Sequence, residues 1–168
     1  MIKIYTDGAC KENPGQGGAA AIIHIDNNKI GITSREEKST NQRMEIKAII
    51  IAIEKILETH SYSNEMLFDI DKEIEFYTDS AYVYNCINQK WYKRWIENGW
   101  INSKKEPVAN RDLWEILLKG LSLLKEKGYY YTFYKVKGHS DDKLNEEVDK
   151  LAKLAVKSSK QLIGVNND

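Results

Sequence analysis

The sequence predicts a single α/β domain built on one mixed five-stranded sheet, with three antiparallel strands followed by parallel strands and with flanking helices. Two observations carry this prediction. Side chains alternate in polarity through residues 2–7, as in a half-buried strand, two further strand-like segments follow at 19–25 and 29–35, and from residue 41 apolar side chains recur at helical spacing. Alternation returns at residue 74, and this strand, helix, strand order favours a right-handed parallel crossover. A length of 168 residues fits one domain.

The first three strands are predicted to form an antiparallel meander. The first spans residues 2–7 and ends at an Asp-Gly pair, and the next two span residues 19–25 and 29–35. The glycine-rich stretch at 13–18 and the polar triplet at 26–28 are typical of turns. Such short connections favour antiparallel pairing of neighbouring strands.

Helices dominate the rest of the predicted chain. The apolar spacing from residue 41 onward predicts a helix of about five turns. Beyond a fourth strand at 74–78, the pattern predicts two short helices at 81–88 and 91–97 and then a loop at 98–109. It further predicts a longer helix around 113–121, a strand at 129–136 and a C-terminal helix around 148–155. We expect the domain to occupy residues 1–157 and the tail at 158–168 to be flexible.

Composition and charge exclude several classes of protein. No apolar run approaches the ~18 to 20 residues of a membrane span, and the first residues lack the pattern of a secretory signal peptide. Two cysteines, Cys10 and Cys86, are too few for a disulfide framework. We therefore expect a cytoplasmic protein without a membrane partner, and we expect a monomer. The 25 basic and 25 acidic side chains balance, so a polyanionic partner must bind a local basic patch.

Two carboxylates are expected side by side at one edge of the sheet. The triplet Tyr-Thr-Asp occurs at residues 5–7 and again at 77–79, each time at the C-terminal end of a predicted strand. Ligands of open α/β sheets bind beyond such strand ends. Taken alone, Asp7 also fits a turn with Gly8, and Asp79 also fits a cap of the next helix. The duplication favours a bound cation, because adjacent carboxylates repel one another without one.

Three further residues are candidates whose roles spacing alone leaves open. Glu45 lies in the first turn of the long helix and Asp149 near the start of the last helix, where the helix dipole also favours an acid. His139 follows the last strand in a polar stretch, where it suits proton transfer or is an ordinary loop histidine. Oxygen ligands without a cysteine or histidine cluster point to Mg²⁺ or Mn²⁺ rather than zinc.

Four sequence motifs occur in one order along residues 1 to about 157: YTDGAC with NPG and GG, TNQRME, YTDS, and VKGH followed by NE and DKLA. Together they resemble type 1 ribonuclease H of the bacterial type. The resemblance implies a ribonuclease H-like fold and endonucleolytic hydrolysis of the RNA strand of RNA·DNA hybrids, giving 5′-phosphate and 3′-hydroxyl ends. It also implies that His139 assists proton transfer or product release. Two Mg²⁺ ions, for which Mn²⁺ can substitute, would be held by Asp7, Glu45, Asp79 and Asp149.

The resemblance also assigns contacts with the hybrid. Along the minor groove, next to the 2′-hydroxyls of the RNA strand, would lie Asn13, Asn41 and Gln42. A pocket for a phosphate of the DNA strand would consist of Thr40, Arg43 and Asn110. There are alternatives for this pocket: Thr40 and Asn110 both fit helix N-caps, and Ser39 with Gln42 fits a capping box.

Residues 90–105 resemble the basic protrusion with which many bacterial members hold the DNA strand. This segment has a net charge of +4, from Lys90, Lys93, Arg94, Lys104 and Lys105 against Glu97. Tryptophans are interleaved with these charges, and we expect Trp95 and Trp100 to form a small core. Tyr82 and Trp91 are better candidates for a channel that holds the DNA backbone.

Other interpretations of the sequence remain open. Integrases, transposases and some exonucleases place acids on a similar sheet, and a binding module could keep its carboxylates for structural reasons. The TNQRME run and the KGH loop argue against the former, and the presence of all four acids argues against the latter. The polar stretch from His60 to Asp71 is longer than the resemblance predicts, residues 60–75 contain five acids against one lysine, and we expect this insertion to lie away from nucleic acid.

Overall fold

A five-stranded mixed sheet forms the centre of the protein. The computed structural model describes residues 1–62, 72–137 and 142–157. Within these residues the elements in chain order are β1 (Ile2–Cys10), β2 (Gly15–Ile25), β3 (Asn28–Ser39), α1 (Asn41–Tyr62), β4 (Glu73–Thr78), α2 (Ala81–Asn88), α3 (Trp91–Asn98), α4 (Arg111–Glu126), β5 (Tyr130–Lys135) and α5 (Lys143–Lys157). The strands lie in the order β3-β2-β1-β4-β5, which confirms the predicted fold class.

The antiparallel meander forms as predicted, but its strands are longer than the alternation of apolar side chains indicates. β1 continues to Cys10, β2 begins at Gly15, and β3 continues to Ser39. The expected glycine-rich turn is therefore largely strand. A register shift between Gly15 and Gly17 accommodates these small residues in the pairing of β2 with β3.

The parallel part of the sheet aligns the two Tyr-Thr-Asp triplets. β1 pairs with β4 in parallel, and Tyr5 lies opposite Tyr77 in this register. β4 pairs in parallel with β5 on its other side. Equivalent residues of the two triplets are therefore neighbours, and both aspartates reach the same end of the sheet.

Helices cover the two faces of the sheet. α1 packs against β1 and β2 on one face and against α4, whereas α5 packs against β1, β2 and β3 on the other face. The apolar stripe of α1 is buried there, with Ile46, Ile49 and Ile53 at most 2% exposed. α1 has 22 residues, about one turn more than predicted. In the described parts of the chain, we find no helix that combines the length and the apolar character needed to cross a membrane.

Candidate active site

Three carboxylates converge where β1 and β4 present their carboxyl ends. Asp7, Glu45 and Asp79 each offer an oxygen, and these oxygens all lie within 4.8 Å of one another. β1 supplies Asp7, and Asp79 follows β4 directly. α1 supplies Glu45 because its first turn crosses closely over Gly8, where an added Cβ would lie only 2.5 Å from the backbone nitrogen of Glu45. The glycine of the Asp-Gly pair is thus needed for the close approach of the helix.

The hydrogen bonds of the three acids show whether each acid has a structural role, such as capping a helix, or is available to bind a metal ion. Ser80 caps α2, since its Oγ accepts the backbone N–H of Val83 at 3.2 Å, so Asp79 is not the cap. One oxygen of Asp7 accepts the backbone N–H of Gly8 at 2.9 Å, but both residues lie within β1, so Asp7 does not stand in a turn. Among the described residues, the buried Oε2 of Glu45 has no hydrogen-bond partner. A buried carboxylate oxygen without a donor fits a cation ligand.

Burial and mutual repulsion disfavour ionisation of the cluster. Burial, and then the charge of Asp79, raise the pKa of Asp7 to about 7. Burial, followed by the charges of Asp7 and Asp79, raises the pKa of Glu45 well above its usual value. Three carboxylates at this separation are therefore not all ionised at neutral pH without a counter-charge. A divalent cation would supply that charge, and oxygen-only ligands would suit Mg²⁺ or Mn²⁺.

The fourth predicted carboxylate, Asp149, comes from α5. Its carboxyl lies within hydrogen-bonding distance of Asp7, but it is not part of the group of three. Its Oδ2 accepts a hydrogen bond from Lys153 Nζ at 2.8 Å, and 37% of the side chain is exposed. All four acids line one open depression of about 440 Å³, together with Asn41 and Lys153. The structure thus brings together the four acids that the sequence selected.

His139 lies outside the described residues, between the segments that end at Lys137 and begin again at Asp142. Its role in proton transfer stays a prediction. The tail at 158–168 also lies outside the described residues, so the domain boundary at residue 157 and the flexible tail stay predictions.

Of the three residues predicted for the minor groove, Asn41 and Gln42 begin α1, and Asn13 lies in the loop between β1 and β2. The Oδ1 atom of Asn13 accepts the backbone N–H of Asn41 at 3.2 Å, which ties the loop after β1 to the helix. Asn13, Asn41 and Gln42 are all exposed. Asn41 lines the acidic depression, whereas Gln42 lines a second groove farther along the surface. Asn41 and Gln42, which are adjacent in the chain, therefore connect the two concave surfaces.

Thr40 and Asn110 of the predicted phosphate pocket are both also candidates for helix N-caps, and only Thr40 makes a capping hydrogen bond. Thr40 caps α1, because its Oγ1 accepts the backbone N–H of Arg43 at 3.2 Å. The capping box predicted for Ser39 and Gln42 is wrong: Ser39 Oγ donates to the carbonyl of Thr40 at 3.5 Å. Asn110 stands at the N-cap position of α4 with φ at 63°, and its side chain makes no capping hydrogen bond. The Asn110 side chain is thus not committed to the helix.

Arg43 has acidic partners that the sequence does not reveal. Its Nε donates to Glu36 at 3.0 Å, and its two terminal nitrogens donate to the carboxylate of Asp112 at 2.9 and 2.7 Å. These bonds use three of the five N–H donors of a guanidinium. Glu36 comes from β3 and Asp112 from α4, and no local motif marks either residue. Arg43 therefore braces three elements around the predicted pocket.

The basic protrusion divides into a groove and a turn. The groove has a volume of about 760 Å³, and its walls include Tyr82, Trp91, Lys90, Lys93 and Arg94. Trp95 and Trp100 are 8% and 7% exposed, but they belong to the main core of the protein and not to a small core of their own, since Trp95 lies 5.8 Å from Trp114 of α4 between ring centroids. Lys104 and Lys105 are exposed on the following turn, which is organised by Asn102 Oδ1 accepting the N–H groups of Lys104 and Glu106. The five basic side chains thus do not line a single groove.

Comparisons with known proteins agree with this architecture. The family model described as RNase H matches residues 1–157. Ribonuclease H of Chlorobaculum parvum is 43% identical over 156 residues, which cover 93% of this chain and 95% of that protein. Ribonuclease H of Syntrophomonas wolfei is 44% identical over 157 residues, covering 94% and 97%.

A solved structure shares the fold. It is that of LC11-RNase H1 in complex with RNA/DNA hybrid, with a TM-score of 0.65 and 22% identity, covering 94% of this chain and 97% of that one. The similarity in sequence extends over nearly the whole chain and includes the strands and helices that carry the four acids. The chain therefore belongs to the ribonuclease H family.

Proposed function

We propose that this protein hydrolyses the RNA strand of RNA·DNA hybrids endonucleolytically, by a two-metal-ion mechanism that leaves 5′-phosphate and 3′-hydroxyl ends. The observation that carries the proposal is the group of three carboxylates within 4.8 Å, with Asp149 beside it, in a chain of the ribonuclease H family. The bound hybrid in LC11-RNase H1, a protein of the same fold, supports the choice of substrate. Mg²⁺ is the proposed ion, with Mn²⁺ as a substitute.

The four acids of the depression would hold the ions, and each brings a different property. Asp7 and Glu45 are the acids with raised pKa values, so binding of a cation would favour their ionised forms. Asp149 is partly exposed and forms an ion pair with Lys153, so this ion pair would have to break when Asp149 binds a metal ion. Two divalent ions at one site supply charge for activating a water molecule and for stabilising a leaving oxygen during in-line displacement.

The surfaces around the depression suit a duplex with one RNA strand. Asn41 and Gln42 present amide groups between the acidic depression and the basic groove, and amides can both donate to and accept from a 2′-hydroxyl. The groove lined by Lys90, Lys93 and Arg94 suits the phosphates of the other strand. We therefore assign the RNA strand to the depression and the DNA strand to the groove.

Cleavage of four labelled duplexes tests the proposal. RNA·DNA hybrid, double-stranded RNA, double-stranded DNA, and a DNA duplex with an internal RNA tract are incubated with the protein in Mg²⁺ or in EDTA. We expect internal cuts in RNA that is paired with DNA, in Mg²⁺ only. Another nuclease of this fold would cut double-stranded DNA or double-stranded RNA, and a binding module would cut none of the four. Either result would overturn the proposal.

A further inference from the structure

Several contacts fix α5, the helix that carries Asp149, on the sheet, among them the buried Val148 and the ion pair of Lys29 with Glu147, and two of them bracket Asp149 along the helix. In its C-terminal half the helix backbone packs directly on Gly18 of β2, where an added Cβ would lie 2.8 Å from the backbone nitrogen of Val156. At its N-terminal end, Asp142 accepts a hydrogen bond from the phenol of Tyr5, with 2.7 Å between Oη and Oδ2. Asp149 lies between these two contacts along the helix.

Asp142 is the residue on which the first turn of α5 depends. Its Oδ1 accepts the backbone N–H of Leu144 at 3.1 Å, and its carbonyl accepts the backbone N–H of Glu146 at 3.1 Å. Asp142 is thus the N-cap of the helix. The second carboxylate oxygen is the one that Tyr5 binds. The phenol therefore holds the capping residue itself.

Tyr5 is well placed to hold a partner in a defined position. Its side chain is buried, at 5% exposure, and its ring stacks on Tyr77 with 4.6 Å between centroids and 10° between planes. A ring packed in this way has few rotamers left, so its hydroxyl has a defined direction. The next ring of the stack, Tyr134, lies 5.3 Å from Tyr77 and is 42% exposed.

β1 and α5 therefore contact one another at two pairs of residues, each with one member on the strand and one on or next to the helix. Tyr5 and Asp7 lie on the same face of β1, because side chains two residues apart in a strand share a face. Asp142 and Asp149 are seven residues apart, about two helical turns, and so face the same way. Tyr5 binds Asp142, and Asp7 lies beside Asp149. A movement of the first turn of α5 would be passed to Asp149, the acid outside the group of three.

We propose that Tyr5 is a positioning residue of the metal site: its hydrogen bond to Asp142 sets the place of α5 and thereby the distance of Asp149 from Asp7. The inference rests on the proposed function, since it concerns how the same four acids are held. The hydroxyl is the group that acts. Tyr5→Phe keeps the ring and its stacking on Tyr77 and removes only this bond.

Mn²⁺ binding to the substrate-free protein, followed by electron paramagnetic resonance, is the main test. Groups that support metal ligands are typically worth 10- to 100-fold in metal affinity or activity, and we expect a loss of about 10-fold in Tyr5→Phe. Hydrogen exchange should become faster at the first-turn amides of α5. In Mg²⁺ below saturation, kcat should fall while the KM for the hybrid stays unchanged.

Tyr134→Phe is the matched control, because it removes a phenol oxygen from the same stack without touching α5. It should equal the wild type in Mn²⁺ affinity, exchange and kcat. Asp142→Asn keeps a helix cap and a polar group facing the phenol, so it should stay within about twofold of the wild type. Wild-type Mn²⁺ affinity in Tyr5→Phe, or an equal loss in Tyr134→Phe, would overturn the inference. A wild-type protein that neither binds Mn²⁺ nor cleaves hybrid would overturn the proposed function, and this inference with it.

Discussion

Asp7→Asn should stabilise the metal-free protein. Asp7 is 6% exposed, and its pKa is raised from 3.8 to about 7, mainly by burial and next by the charge of Asp79. A difference of about three pKa units corresponds to about 4 kcal/mol of unfavourable ionisation in the folded state. Asparagine has nearly the same shape and no charge. Because its amide also needs hydrogen-bond partners, we expect a gain of roughly 1 to 4 kcal/mol in the free energy of unfolding.

The gain should depend on pH in a definite direction. Between pH 3.8 and about 7 the Asp7 carboxyl is protonated in the folded protein and ionised in the unfolded chain. At this site the folded state then binds more protons, so the contribution of Asp7 to the free energy of unfolding falls as pH rises through this range. Asp7→Asn lacks this proton. Its advantage over the wild type should therefore be small near pH 4 and complete above pH 7.

Urea unfolding in EDTA at a series of pH values measures this advantage. In thermal unfolding at pH 8, each kcal/mol gained in the free energy of unfolding should raise Tm by roughly 2 to 4 °C for a chain of this size. Glu54→Gln removes an exposed carboxylate from α1 and serves as the control, with a small difference from the wild type at every pH. Adding Mg²⁺ should narrow the gap, because the ion stabilises only the folded wild type. An Asp7→Asn protein less stable than the wild type at pH 8 would refute the reasoning.

Three other variants test separate parts of the molecule. Alanine at all five basic positions of the protrusion should lower the slope of log affinity against log salt by about two to four units and raise KM at moderate salt; an unchanged slope would show that the hybrid is held elsewhere. His139→Ala should slow turnover by ~10² to 10⁴ yet keep metal-dependent activity, and either full activity or complete loss would contradict this role. Lys105 has φ at 61°, so Lys105→Gly should raise the free energy of unfolding by about 1 kcal/mol in chemical denaturation; a loss of stability would contradict the cost assigned to this conformation.

Two of the four acids, Asp7 and Asp79, followed from a local pattern. The repeated Tyr-Thr-Asp triplet predicts two adjacent carboxylates once the strands are parallel, and the observed register of Tyr5 with Tyr77 has this effect. Glu45 needed the family resemblance, since the dipole of α1 accounts equally well for an acid at that position. Its close approach to Asp7 depends on a backbone contact at Gly8, which no spacing reveals.

Features that depend on distant residues could not be predicted. Strand β2 extends into the glycine-rich stretch at 13–18, where α1 packs closely on Gly17 and α5 on Gly18, and a turn pattern contains no information about that packing. The ion pairs of Arg43 with Glu36 and Asp112 join residues up to 69 positions apart. Ser39 and Thr40 are both good N-caps by residue type, and only the position of the strand end decides that Thr40 caps α1.

The sharpest test of a metal site on these four carboxylates is single-turnover cleavage of a DNA duplex that contains one internal tract of RNA. Wild-type protein and Asp79→Asn are compared in Mg²⁺, with binding of the same duplex measured separately in EDTA. We predict cuts by the wild type inside the RNA tract, leaving 3′-hydroxyl and 5′-phosphate ends, and no cuts by Asp79→Asn, although it binds the duplex normally. Cleavage by Asp79→Asn at the wild-type rate, or by the wild type in EDTA, would contradict the account.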